Sequence, residues 1–426
     1  MLDLSFTFVF LLLPLHFLPS AEAVKIHCMQ NEHTSTSTVE DLIECFDTYT
    51  VPEGYYNEQT YSAAQPTESE NVAWKQVVRE LLWVDGNCTD VNVPDVLEGV
   101  YGVDLFVSRG GIEGGERKGF CVLHELYAIT ESVYTRGWGV LVVPHFRNTT
   151  VTSRAGVHFS APHPQYDLHT PEQAAFLFER TGAKSLLVPG RSRSALMNAT
   201  TCIKPTSEET TYWVTDPAHN DKEPFVTASK EIYRWQQAQA MGCASESCAF
   251  VQMHGKGPRT CPSDTIFLST GLGRSRSSIS WYISSDDHTP FHRLGRSIGR
   301  INRSWRVSLP SDSRSNCGLT ATTNVFGRFV NGVPEGRLCK QAANTEMGTV
   351  KGRFVHVEQA KEARLPGEDG EVYEEWVKAF DEAFGGGGPG ADDSHRNGIS
   401  DTVSWIVVLI GAWILFGGRG GTERRW

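Results

Sequence analysis

The feature that most restricts how this chain can fold is a strand–turn–helix–strand pattern between residues 156 and 189. Gly156-Val-His-Phe-Ser160 and Ala183-Lys-Ser-Leu-Leu-Val-Pro189 are apolar runs of strand length. Between them, residues 171–180 place Ala174, Ala175, Leu177 and Phe178 at helical spacing. Two strands joined through a helix run parallel, and a parallel sheet is covered on both faces. Further apolar runs at 138–144, 249–253, 265–269 and 353–357 supply more strands of the same buried kind. The expected fold is therefore α/β, an open mixed, mostly parallel sheet with helices on both faces, phosphorylase/hydrolase-like in its layers.

The two ends read differently from the middle. Residues 4–18 are apolar and are followed by Ala21-Glu22-Ala23, which reads as a signal peptide over 1–23 with a mature start at Val24. All ten cysteines lie beyond that point, and an even count in an exported chain implies disulfides, Cys243 and Cys248 included. Asn-x-Ser/Thr sites begin at Asn87, Asn148, Asn198 and Asn302 and mark surface in a secreted chain. The net charge of −11 argues against nucleic acid as a partner.

After an extracellular body over 24–365, residues 366–401 are acidic and then Gly-rich, a helix followed by a stalk. Residues 402–418 hold an apolar run, Val403 to Gly418, whose 16 residues would rise about 24 Å, short of the roughly 30 Å hydrocarbon core. Arg419 to Trp426 is Arg-rich, so a single-pass anchor would leave this tail in the cytosol. A glycolipid anchor attached at residues 390–392 is the alternative.

Elsewhere the reading is coarser. Val72, Trp74, Val77, Val78 and Leu81 predict an amphipathic helix over 70–82, and residues 109–119 a Gly-rich loop without a dinucleotide fingerprint. His124-Glu125 lacks the second histidine of a His-Glu-x-x-His site and reads as structural. A helix over 226–240 and another over 290–305 follow, the latter studded with Arg293, Arg296, Arg300, Arg303 and Arg306, a solvated basic face.

Chemistry concentrates at strand ends. His163 and Asp167 follow the run at 156–160, His254 follows 249–253, and Glu358 closes 353–357. Parallel strands bring their carboxyl ends to one edge, so residues far apart in sequence meet there. Two imidazoles and a carboxylate, His163, His254 and Asp167, make a catalytic Zn2+ donor set with an open position, and Glu358 is the further carboxylate that accepts a water proton. Arg191 and Arg193, at the exit of the 183–189 strand, are candidates to clamp a substrate carboxylate or phosphate. His219 lies in the loop before the 226–240 helix.

The order of these motifs resembles the zinc amidohydrolases related to carboxypeptidases, especially poly-γ-glutamate hydrolases. The matching positions are His163…Asp167…Thr170…Ala174, then His254-Gly255, then Val355-His-Val-Glu358 with Arg364 following. His219 with Phe225 is similar to that family's substrate-contacting loop. The resemblance covers about 155–365 and has Asp167 where the family more usually has Glu. It implies zinc on His163, Asp167 and His254, Glu358 as general base and acid, His219 toward the substrate, and a peptide or polyglutamate-like substrate. The whole chain also resembles secreted proteins of filamentous fungi. Two other readings stand beside this one. Pro162-His163-Pro164-x-x-Asp167 is similar to the first motif of zinc-dependent N-acetylglucosamine deacetylases, and a glycosylated surface or wall-binding protein would need no metal at all.

Overall fold

The computed structural model describes residues 23–29, 38–109, 117–129, 133–147, 154–205, 211–244, 247–285 and 288–385. The expected signal peptide, Asn148, the Gly-rich part of the stalk and the apolar run at 403–418 with its tail lie outside the described residues. Among the described residues, no helix is long and apolar enough to cross a membrane.

Eleven strands form among the described residues. β1 (Ala23–Lys25) pairs with β4 (Tyr127–Ile129) in a small antiparallel ribbon. The others are β2 (Tyr101–Ser108), β3 (Lys118–Glu125), β5 (Val140–Pro144), β6 (Arg154–Ser160), β7 (Ala183–Val188), β8 (Ala249–Gly255), β9 (Ile266–Ser269), β10 (Val307–Ser308) and β11 (Phe354–Gln359). They build one mixed sheet in the order β10-β9-β11-β8-β6-β7-β5-β3-β2. Its centre, β11-β8-β6-β7, is parallel throughout, and on one side β5, β3 and β2 continue it antiparallel.

Side chains alternate across the central strands, and each face carries its own core. Val157, Phe159, Val251, Met253, Val355 and Val357 share one apolar cluster with helices α1 (Val39–Asp47), α4 (Thr170–Thr181), α7 (Pro290–Ile301) and α10 (Glu371–Phe384). Phe250, Phe354 and Leu187 face the other way, into a cluster with α3 (Glu68–Leu82), α5 (Pro224–Gln237) and α8 (Val325–Val330). Helices thus cover both faces, as the buried apolar runs require.

Local chemistry sets the helix ends. α3 starts two residues before the first apolar position suggests, because Thr67 and Glu70 cap it reciprocally: Thr67 Oγ1 accepts from the Glu70 amide at 3.2 Å and Glu70 Oε2 from the Thr67 amide at 2.7 Å. α5 begins at Pro224, whose missing N–H costs nothing in the first turn. α4 stops at Gly182, which takes the left-handed conformation at φ 64°.

The acidic stretch past 365 is a helix, as expected, and α10 is part of the body. It packs against α7 and α4 with Trp376 and Phe380 fully buried, so the folded unit runs at least to Phe384. Three of the arginines around α7 have partners: Arg300, itself mostly exposed, pairs with Glu382, Arg306 Nε lies 3.4 Å from Asp264 Oδ1, and the Arg293 guanidinium lies 5.0 Å from the Phe384 ring, while Arg303 is exposed. All ten cysteines pair, as Cys28–Cys45, Cys88–Cys121, Cys202–Cys339, Cys243–Cys248 and Cys261–Cys317. Five disulfides are the mark of an oxidising, extracellular or secretory compartment.

Candidate metal centre

β6, β8 and β11 are adjacent and parallel, so their carboxyl ends open on one edge. His254 and Glu358 are direct register partners there, which puts both side chains on the same side of the sheet. The chain leaving β6 makes a tight loop into α4. The Asp167 amide donates to His163 O at 2.9 Å and Thr170 Oγ1 to Asp167 O at 2.7 Å. Gln165 (φ 60°) and His169 (φ 67°) flank Asp167 in the left-handed region, a conformation costing about 1 kcal/mol or more for each non-glycine residue. The loop holds its strain to keep His163 and Asp167 turned inward.

One oxygen organises what they meet. Asp167 Oδ2 lies 3.0 Å from His163 Nδ1 and 3.2 Å from His254 Nδ1, and all three side chains are buried. Donor atoms on a tetrahedral zinc at about 2.0–2.1 Å stand roughly 3.3–3.4 Å apart, close to the two spacings about Asp167, and the three donors all lie within 4.8 Å of one another, a set that could hold a metal ion. Behind His163, Nε2 lies 3.2 Å from Asp216 Oδ1, the carboxylate that a metal-binding imidazole uses to fix its tautomer. Asp216 is fully buried and its other oxygen forms ion pairs with Arg193 and with His219 Nδ1 at 3.0 Å, without hydrogen-bond geometry. Nε2 of His254 and Nδ1 of His356 are buried without a hydrogen-bond partner among the described residues.

The charges follow from these contacts. Burial and Arg193 pull the His163 pKa down, but Asp216 and Asp167 outweigh them and leave it above its ordinary value. Burial opposes ionisation of Asp167, yet His163 and His254 hold it well below the usual carboxylate range. Burial brings His254 down to about 4. Burial, and then the Asp167 charge, push Glu358 up to about 8. The His163 ring thus lies between two carboxylates, Asp167 at Nδ1 and Asp216 at Nε2.

The cluster floors an open cavity of about 470 Å³, walled by residues 254–257 and 318–324 and by His219, Tyr166 and Arg193. Cys261–Cys317 ties these two wall segments together. A slightly larger cavity of about 540 Å³ lies elsewhere, lined by Lys75, Lys222, Lys230, Arg234 and Glu335 among others. It contains none of the converging imidazoles, so chemistry and not size marks the site.

The sequence-derived candidates separate clearly. His163, Asp167, His254 and Glu358 come together, and His219 and Arg193 line the same cavity. Arg191 does not. Its side chain is buried away from the cavity, donating Nε to Gly137 O at 3.1 Å and Nη2 to Arg136 O at 2.7 Å between the rings of Tyr56 and Tyr61. The chain turns between the two arginines: Arg191 is held in a bridge with Val51, and a turn starts at Arg193. Arg193 itself is neutralised by Asp216, so the expected two-arginine clamp is absent.

The space beside Gly255 serves packing as well, since a Cβ there would collide with the Arg364 guanidinium. His356 and Asp216 are additions that the motifs missed. His356 is legible in hindsight as the residue two before Glu358 on one strand, hence on the same face; its Nε2 lies 3.6 Å from Glu358 Oε1.

No family model and no curated protein sequence matches the chain. Among solved structures it is similar to the gene product Atu2144 from Agrobacterium tumefaciens, at 15% identity over 55% of this chain and 92% of that one. The TM-score is 0.30, a likeness too slight to carry an argument about function.

Proposed function

We propose that this chain is a secreted or surface-anchored, zinc-dependent hydrolase of amide bonds, of peptide or γ-glutamyl type. The observation that carries the reading is Asp167 Oδ2, within 3.0 and 3.2 Å of two imidazole nitrogens at the base of an open cavity. Such a cluster is costly to build without a purpose, because each buried polar group gives up water. His163, Asp167 and His254 would hold the ion. When bound, zinc supplies Lewis-acid polarisation of a carbonyl and a lowered pKa for water. Glu358, beside His254 on the cavity wall, accepts the proton of the attacking water in its carboxylate form, which the charge of a bound cation would favour over the neutral acid, and Asp216 keeps His163 in the tautomer that leaves Nδ1 for the metal.

A deacetylase acting on N-acetyl sugars would use the same donor set and differ only in substrate; a wall-binding protein would need no ion. The membrane anchor at 402–418 remains part of this proposal. Metal analysis of the ectodomain, residues 24–384, tests the core of it. One zinc per chain is expected, removable by chelation and lost in both His163→Ala and His254→Ala; full retention in both variants would sink the assignment.

A further inference from the structure

Hydrolysis of an amide moves two protons: one leaves the attacking water, and one must reach the nitrogen before it departs as an amine. Glu358 accounts for the first. The opposite wall of the cavity carries a second group built for proton exchange. His219 Nδ1 lies 3.0 Å from Asp216 Oδ2, and its Nε2 lies 3.1 Å from Thr323 Oγ1. Tyr212 stacks on the imidazole with 3.8 Å between ring centres and 9° between planes. The side chain is 13% exposed, and both His219 and Thr323 line the cavity that holds His254 and Glu358.

A histidine that only contacts substrate needs one free nitrogen and no fixed tautomer. Here a buried carboxylate lies 3.0 Å from Nδ1 as an ion-pair partner outside hydrogen-bond geometry, the ring is clamped by stacking, and Nε2 is hydrogen-bonded to the Thr323 hydroxyl on the cavity wall. A carboxylate, an imidazole and a hydroxyl in that order orient the ring and stabilise the imidazolium when it forms. We propose that His219 is the catalytic residue that gives the leaving nitrogen its proton, with Asp216 and Thr323 as its positioning residues. This rests on the amide-hydrolase reading and divides between two residues the roles that the family resemblance gives to Glu358 alone.

The step balances as follows. The step starts with His219 as imidazolium and Glu358 as carboxylate. Water forms the new C–O bond and loses one proton to Glu358; the C–N bond breaks, and nitrogen keeps the electron pair and takes the Nε2 proton of His219, which is left neutral. The proton on Glu358 returns to His219 through solvent, leaving an acid and an amine. Thr323 Oγ1 holds Nε2 before substrate arrives and yields the position to it.

The test uses the full-length, zinc-loaded chain and two probes that share one acyl group. They are N-acetyl-γ-glutamyl-glutamate, an amide, and the 4-nitrophenyl ester of the same N-acetyl-γ-glutamyl group, whose leaving group departs as an anion and needs no proton. His219→Gln is expected to keep one zinc, to lose about 100-fold or more on the amide and to lose less than about 3-fold on the ester. Equal losses on both probes would make His219 a substrate-positioning group and overturn the inference. Unchanged amide turnover, or loss of zinc from the variant, would overturn it too. If the zinc-loaded wild type hydrolyses neither probe, the γ-glutamyl amidase reading falls first and this assignment with it. That result is distinguishable from failure of His219 alone, in which the wild type turns over and the variant loses both probes equally.

Discussion

Two buried histidines with carboxylate partners lie at different places in the sheet, the Asp104 partner of one half-exposed, and they are built to different ends. On the antiparallel side, His124 Nε2 lies 2.9 Å from Asp104 Oδ2 and its Nδ1 lies 2.9 Å from the neighbouring carbonyl of Glu125. Glu125 accepts the amides of Arg136 and Gly137 at 2.6 and 2.7 Å and the Tyr101 hydroxyl at 3.3 Å. Each group has its own partner, and the donors come from backbone as much as from side chains. In the parallel centre, two imidazoles, one from the loop that also carries Asp167 and one from a strand, converge on one carboxylate oxygen, nitrogens are left without partners, and a cavity opens above. Burial and perturbed titration occur in both, since burial also lifts Glu125 to about 7. What separates a site from a structural network is convergence with unspent bonding capacity.

That contrast breaks most sharply on Glu358 and Glu125. Glu358→Gln is expected to bind zinc normally and to lose about 100-fold or more in hydrolysis of γ-glutamyl or peptide amides, the low end for general acid–base catalysis. Equal rates in the two forms, on any substrate the protein turns over, would return Glu358 to the structural class.

Glu125→Gln is expected to do the reverse. It replaces an acceptor by a group with its own donors where three donors already point, a cost of about 1–3 kcal/mol in stability. Denaturant titration of the variant checks this, with zinc stoichiometry and turnover expected to stay unchanged. A Glu125 variant that lost zinc at full stability would merge the two regions into one site.

The smallest effect sharpens the contrast from the proton side. His163 carries a raised pKa because Asp216 and Asp167 outweigh burial and Arg193, and in the proposed site a metal would take the place of its Nδ1 proton. Zinc binding is therefore expected to release about one proton below that raised pKa and fewer above it, with affinity falling about tenfold per pH unit on the acid side. Calorimetry in buffers of different ionisation enthalpy measures the count. The His124 pair contributes nothing to it, so the released proton is expected to persist in His124→Asn; a proton count that fell in that variant would tie the two regions together.

Much of this was legible before any coordinates. The apolar runs and helical spacing located β6, α4, β7, β8 and β11 to within a few residues, because hydrophobic periodicity is a property of a short window of chain. The parallel centre followed from a strand–helix–strand unit, and the shared edge followed from parallel strands. His163, Asp167, His254 and Glu358 could be grouped on that reasoning alone. Helix starts moved by a few residues where caps such as Thr67 with Glu70 decided them.

Other features had no local mark. Arg191 and Arg193 are two residues apart and chemically identical, yet one is packed between tyrosines under the sheet edge and the other faces the cavity on Asp216. Asp216 reads in sequence as one acid in a turn-rich loop, but it stands behind His163 and His219 at once. Trp376 and Phe380 sit in an acidic stretch that resembles a stalk, and only their packing against α7 and α4 makes that helix part of the body. The sequence by itself determined which segments would be strands and helices and which strand ends would carry imidazole and carboxylate. Tertiary structure alone decided which way each polar side chain turned and what neutralised it. Direction and partner are set by contacts between segments far apart in the chain, and no window of sequence contains both halves of such a contact.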